Sequence, residues 1–163
     1  MRLTSLSKRL RPAAPALLFL CLPFSSAAQS SAVLSVAEPA KVTLRRETPV
    51  VVPLAVSLKS GYHVNSTTPP DPYLIPLKLT WDEAIVKVER TDFPKPLMQK
   101  FEFSEKPLSV YEGNFEIKTT LRAPKTAATG PNVLAAKLRY QACSDTACLP
   151  PGTIEVKVPV VIQ

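Results

Sequence analysis

Hydrophobic side chains return at every second position through four long stretches of this chain, a period that fits strands and not helices. Val50, Val52, Leu54, Val56 and Leu58 alternate with Val51, Pro53, Ala55 and Ser57. Phe115, Ile117, Thr119 and Leu121 alternate with Glu116, Lys118, Thr120 and Arg122, and Leu134, Ala136, Leu138 and Tyr140 with Ala135, Lys137, Arg139 and Gln141. Ile154, Val156, Val158, Val160 and Ile162 share one face, with Glu155 and Lys157 on the other. Successive side chains of a strand point to opposite sides, so each stretch predicts an antiparallel strand with one face on a core. Residues 33–36, 41–45, 75–81 and 84–90 are shorter strand candidates. Eighteen prolines exclude long helices and mark strand edges and turns. Pro53 and Pro159 fall inside strand-like runs and place those strands at sheet edges or at bulges. The expected fold is therefore all-β, an immunoglobulin-like antiparallel β-sandwich in preference to a closed barrel.

Two stretches do not read as strand. Residues 61–71 hold the single histidine, His63, and the corner Thr68-Pro69-Pro70-Asp71-Pro72; residues 93–111 hold Phe93, Phe101 and Phe103 among prolines and mixed charges. Long loops in a compact domain are often functional.

The N-terminus carries Arg2, Lys8, Arg9 and Arg11, then an apolar run over residues 13–22, then Ser26-Ala27-Ala28. A basic region, an apolar region and small residues at −3 and −1 make residues 1–28 a cleaved signal peptide. An apolar run of about ten residues is too short to span a bilayer, which needs about 20. Cys21 leaves with it, and no small residue precedes it as a lipoprotein signal requires. Residues 29–163 then form a single periplasmic domain without stable membrane insertion. The formal net charge of +7 loses four basic residues with the signal and falls to +3. No Lys/Arg-rich tract or aromatic platform remains for nucleic acid.

Cys143 and Cys148 are left as an even pair in a disulfide-permissive compartment. Four residues separate them, between two strand-like runs. Closing so short a loop is worth about 2 kcal/mol of chain entropy, against about 4.7 for a loop of about 100 residues. Redox use is the sharper reading, although spacing alone leaves a structural hairpin disulfide equally open. Two cysteines and one histidine fall short of a zinc site, so no metal or other cofactor is expected. There is no C-x-x-C pair opening a helix to activate a thiol, and Asp145 within the loop works against thiolate formation. A lone histidine without a nucleophile motif excludes Ser/His/Asp hydrolase chemistry.

Tyr140-Gln141-Ala142-Cys143 and Cys148-Leu149-Pro150-Pro151 resemble the Tyr-Gln-small-Cys…Cys-aromatic/aliphatic-Pro-Pro segment of the N-terminal periplasmic domain of DsbD, the transmembrane thiol–disulfide reductant conductor. Pro107-Leu108-Ser109-Val110-Tyr111-Glu112-Gly113 is similar to the segment after that family's cap loop. Gly61-Tyr62-His63-Val64-Asn65, followed by Asp71-Pro72-Tyr73-Leu74-Ile75-Pro76, is similar to the stretch beside its cysteines. The resemblance implies an immunoglobulin-like sandwich whose redox pair, Cys143 and Cys148, lies on an edge hairpin beneath a cap loop. Phe101 or Phe103 would be the cap residue, with Tyr62, His63, Asn65 and Asp145 lining the site. The resemblance further implies that electrons enter from a thioredoxin-like donor and leave to oxidised periplasmic proteins of the disulfide isomerase or cytochrome c maturation type. Such a chain is an electron-carrying component of a protein-disulfide reductase, without small-molecule catalysis of its own.

Three departures stand out. Four residues lie between the cysteines where well-known members have five. His63 and Asn65 stand where those members carry tyrosines. The sequence stops at Gln163, so the donor is expected to be a separate protein. Beside the carrier stands a second reading, a non-redox exported binding module in which the disulfide pins a hairpin; on it, His63 is an ordinary loop histidine and the phenylalanines are core. The short loop generates the first test. A Cys143→Ser/Cys148→Ser variant is expected to stay folded and melt cooperatively, destabilised by about 2 kcal/mol. Loss of the cooperative transition by circular dichroism would mark the disulfide as a staple.

Overall fold

The computed structural model describes residues 32–163, so the signal peptide assigned to residues 1–28, with Cys21, lies outside the described residues. Each alternating stretch is a strand whose apolar positions are buried. These are β3 (Val50–Leu58), β9 (Asn114–Arg122), β10 (Gly130–Tyr140) and β12 (Gly152–Ile162). The shorter candidates become β1 (Leu34–Val36), β2 (Val42–Leu44), β5 (Lys78–Trp81) and β6 (Lys87–Asp92). One sheet has the order β1-β3-β9-β6 and the next β2-β12-β10-β5. Val52, Leu54 and Val56 from the first and Leu134, Leu138, Val158 and Val160 from the second share one core. The sandwich is antiparallel except at β2, which runs parallel to β12 through the pair Val42 and Val160.

The two prolines sit in interior strands, not in edge strands. β1 flanks β3 only over Val56–Leu58, and β2 joins β12 only from Val160 onward. Pro53 and Pro159 therefore lie where their strand has one partner alongside, and the missing N–H removes no ladder bond on the other side. The register irregularity of the first sheet falls elsewhere, between Val88 and Arg90.

A third sheet corrects the reading of the two long stretches as loops. It consists of β4 (His63–Asn65), β7 (Leu97–Gln99), β8 (Leu108–Glu112) and β11 (Ala142–Cys143), in the order β11-β4-β8-β7. All three residues of β4 and the first four of β8 are buried, so the alternation that reveals a half-exposed strand is absent. The turn into β4 depends on Gly61, whose φ of 81° suits a tight turn closed by the Tyr62 N–H donating to the Lys59 carbonyl at 3.2 Å.

The two large sheets are also tied by one polar contact in the core. Trp81 Nε1 of β5 donates to Thr119 Oγ1 of β9 at 3.1 Å, and both residues are buried. Replacing Thr119 with Val keeps the shape and strands the indole N–H. Thr119→Val is expected to cost about 1–3 kcal/mol, read from the midpoint of chemical denaturation at unchanged slope.

Candidate functional site

The longest ladder of the molecule carries the cysteines. β10 and β12 pair over their whole length and end at Tyr140 opposite Gly152, where a Cβ would meet the Tyr140 ring at 2.9 Å. Residues 141–151 overhang this end as a second, smaller hairpin. Cys143 and Cys148 face each other across it, joined by a disulfide with Cα atoms 3.9 Å apart. The Leu149 N–H donates to the Ala142 carbonyl and the Ser144 N–H to the Ala147 carbonyl, each at 2.8 Å. The cysteines thus occupy a non-hydrogen-bonded pair, the position at which opposing residues come closest. The Ser144 hydroxyl accepts from the Thr146 and Ala147 N–H groups and closes the tip. Cys143 is buried and Cys148 is exposed.

Strand register determines what lies beside them. Cys143 pairs with His63, and His63 with Glu112; one step along, Ala142 pairs with Val64, and Val64 with Tyr111. Paired residues share a face and neighbours alternate. Val64, Tyr111 and Ala142 accordingly join the main core. Cys143, His63, Asn65, Val110 and Leu108 take the opposite face, where Phe101 packs with Leu108, Val110 and Leu74 in a separate cluster. The segment between β7 and β8 roofs this face. Phe101 is 4% exposed and stacks on His63 with ring centroids 4.1 Å apart; Phe103 is 44% exposed and stacks on Phe101 at 5.3 Å. The two candidates thus separate, with Phe101 the inner ring and Phe103 its outer cover.

The remaining candidates have distinct places. His63 is buried and its Nε2 has no hydrogen-bond partner. Burial pushes its pKa below 6.5, opposed by the Asp145 carboxylate on the exposed hairpin tip. The unfolded chain therefore binds the proton more readily, and the stability this gives is full above 6.5 and declines as pH falls below it. Asn65 is also buried; its Nδ2 donates to the Ile75 carbonyl at 3.0 Å, tying the proline-rich loop to β4, and its Oδ1 is unpaired. Tyr62 packs against the main core instead of the capped face. It lines, with Lys59, His63, Glu112 and Asp145, an open groove of about 450 Å³. Sequence reasoning missed Leu108, Val110 and Glu112 as neighbours of the site. The run Leu108-Ser109-Val110-Tyr111 was the available signal, since a short apolar stretch without alternation fits a strand buried on both faces. Among the described residues, no cluster of three or more His, Cys, Asp or Glu is placed to hold a metal ion.

A family model described as "Thiol:disulfide interchange protein DsbD, N-terminal" matches residues 30–159. The chain belongs to the DsbD N-terminal domain family. With the Cys143–Cys148 disulfide, membership makes it a thiol–disulfide exchange domain. Among solved structures, the N-terminal periplasmic domain of ScsB from Proteus mirabilis is similar with a TM-score of 0.53 at 13% identity, over 77% of this chain and 44% of that one. The chain thus spans less than half of that structure, and the likeness is one of fold. The DsbD N-terminal domain of Neisseria meningitidis, in its reduced form, aligns at 19% identity with a TM-score of 0.46, over 66% of this chain and 74% of that one. No curated protein matches the chain. Among the described residues, no helix is long and apolar enough to cross a membrane.

The stacked rings generate a test of the cap. Phe101→Ala is expected to speed reduction of the disulfide by dithiothreitol at least several-fold, at a stability cost below the roughly 3–5 kcal/mol of emptying a main-core phenylalanine site. Phe103→Ala should change either quantity much less. An unchanged reduction rate in Phe101→Ala would assign the ring to packing alone.

Proposed function

We propose that this chain is a periplasmic electron carrier, exported by its first 28 residues, that relays reducing equivalents between a thioredoxin-like donor and oxidised thiol proteins. The observation that carries this reading is a disulfide with one exposed and one buried cysteine on a hairpin beside an aromatic roof. A donor thiolate meets Cys148 first. Its attack on Cys148 Sγ forms an intermolecular disulfide and releases the Cys143 sulfur. The donor's second thiol then attacks the donor sulfur of that bond, the donor becomes a disulfide and Cys148 leaves as a thiolate; once both cysteines are protonated, two electrons with two protons have passed to the Cys143–Cys148 pair. Delivery to an acceptor of the disulfide isomerase or cytochrome c maturation type runs the same steps in reverse.

Selectivity comes from docking rather than from intrinsic reactivity. Cys143 lies on β11 and Cys148 in an isolated bridge opposite it, so no helix N-terminus activates them, and Asp145 adds a negative charge at the hairpin tip. Leu149, next to Cys148, and Phe103 on the cap are both exposed and offer apolar contact to a docking partner. A partner that covers them aligns its thiolate and moves the roof in one event.

The reduction potential separates this carrier from a binding module with a structural disulfide, because structural disulfides of secreted proteins typically lie below about −300 mV. We expect a value above that limit. We also expect Cys143→Ser to trap thioredoxin-like proteins through Cys148, with Cys148→Ser trapping none. A potential below about −300 mV together with inertness toward every thioredoxin-like donor tried would move the assignment to the binding module.

A further inference from the structure

We propose that His63 is the general base that activates Cys143 when the reduced protein delivers its electrons, an inference that rests on the carrier reading. Three observations converge on this residue. Register places His63 directly opposite Cys143 on the capped face, and paired side chains on neighbouring strands have Cβ atoms about 4.5–5.5 Å apart. The imidazole Nε2 is buried without a partner, a position that buried polar atoms rarely occupy without a role. The ring is fixed from above by Phe101 at 4.1 Å, so its orientation is set by packing instead of by a hydrogen bond.

The chemistry of delivery needs such a group. The exposed Cys148 thiolate attacks the acceptor disulfide, forms a Cys148–acceptor disulfide and expels the acceptor's other sulfur as a thiolate. Cys143 must then attack Cys148 Sγ. Its thiolate has to form at a buried position opposite His63 on the capped face, where an isolated charge is disfavoured. Neutral His63 takes the Cys143 S–H proton on Nε2. The freed electron pair forms the Cys143–Cys148 bond, the Cys148–acceptor bond breaks, and the acceptor sulfur leaves as a thiolate that is protonated from water. The imidazolium is stabilised by Asp145, whose charge favours the protonated ring, and it loses its proton to solvent along the groove that His63 and Asp145 line. When a donor recharges the protein the same ring returns the proton to the departing Cys143 sulfur. Other ionisable groups near it are Lys59 in the same groove, Glu112, opposite on β8, Tyr62 beside it on the chain, and Lys100 and Glu102 flanking Phe101 on the cap; Lys59, Glu112, Lys100 and Glu102 are on the solvent side.

Reaction of the fully reduced protein with 5,5′-dithiobis(2-nitrobenzoate) isolates the step. The first thionitrobenzoate is released in a phase that depends on reagent concentration, by attack of Cys148. The second is released in a concentration-independent phase, by attack of Cys143 on the mixed disulfide. In His63→Phe, which keeps the aromatic stack, and His63→Gln, which keeps a polar group, the second phase is expected to slow by about 100-fold or more, with the first phase little changed. In the parent protein the second phase should carry an inflection below pH 6.5, on the side to which burial moves the ring, and both variants should lose it. Second phases as fast as the parent's in both variants, or a parent profile without that inflection, overturn the assignment of the base and leave the carrier reading intact. A parent protein that releases no second equivalent overturns both. Because the parent's pH profile needs no substitution, the proposal remains open to refutation if a variant fails to fold.

Discussion

The small third sheet holds the site together because it is packed on both faces. Val64, Tyr111 and Ala142 point into the main core, and the pleat then obliges His63, Asn65, Val110 and Cys143 to point the other way. A surface that apolar on an otherwise exposed flank needs cover, and the segment carrying Phe101 supplies it. The cap is therefore a consequence of the sandwich: once the core takes one side of these strands, the cysteine side becomes a second, shallower interior. Its contents are few: the hydrophobic cluster there has Phe101, Leu108 and Val110 as its buried members. A roof resting on so little apolar area opens at a smaller cost than any part of the main core.

Placing the disulfide at the margin of this shallow interior explains its asymmetry. β11 is the edge of the third sheet, so Cys143 lies buried beside β4 while Cys148, in an isolated bridge outside the sheet, faces solvent. One cysteine is thereby open to solvent and the other enclosed. The same packing lowers the His63 pKa and Asp145 at the tip opposes that tendency, so the only histidine of the chain sits between two influences of opposite sign.

Legibility in the sequence followed exposure. β3, β9, β10 and β12 each have one wet face, and their alternation announced them. β4 and β8 have none: His63-Val64-Asn65 reads as a polar loop until one sees that all three are enclosed, and Leu108-Ser109-Val110-Tyr111 lacks the period altogether. The family of the disulfide-bonded pair was legible through its flanking residues. Phe101 and Phe103 were not separable, because they are two apart and share a face in any extended segment; only the position of the cap over His63 distinguishes the buried ring from the outer one. Pro53 and Pro159 do mark places where a strand lacks a neighbour, but not edge strands, since a strand can be interior to its sheet and still have a free flank at one residue.

The overhang of the cysteine hairpin beyond the β10–β12 ladder makes the spacing between the cysteines a free variable. What brings Cys143 and Cys148 together is the pair of bonds on either side of them, Ala142 with Leu149 and Ser144 with Ala147, and both lie on the ladder side of the tip residues Asp145 and Thr146. A chain with one residue more at that tip keeps the facing pair and alters only the shape of the turn. The tip is thus a place where length and charge can change while the core beneath it inherits none of the change.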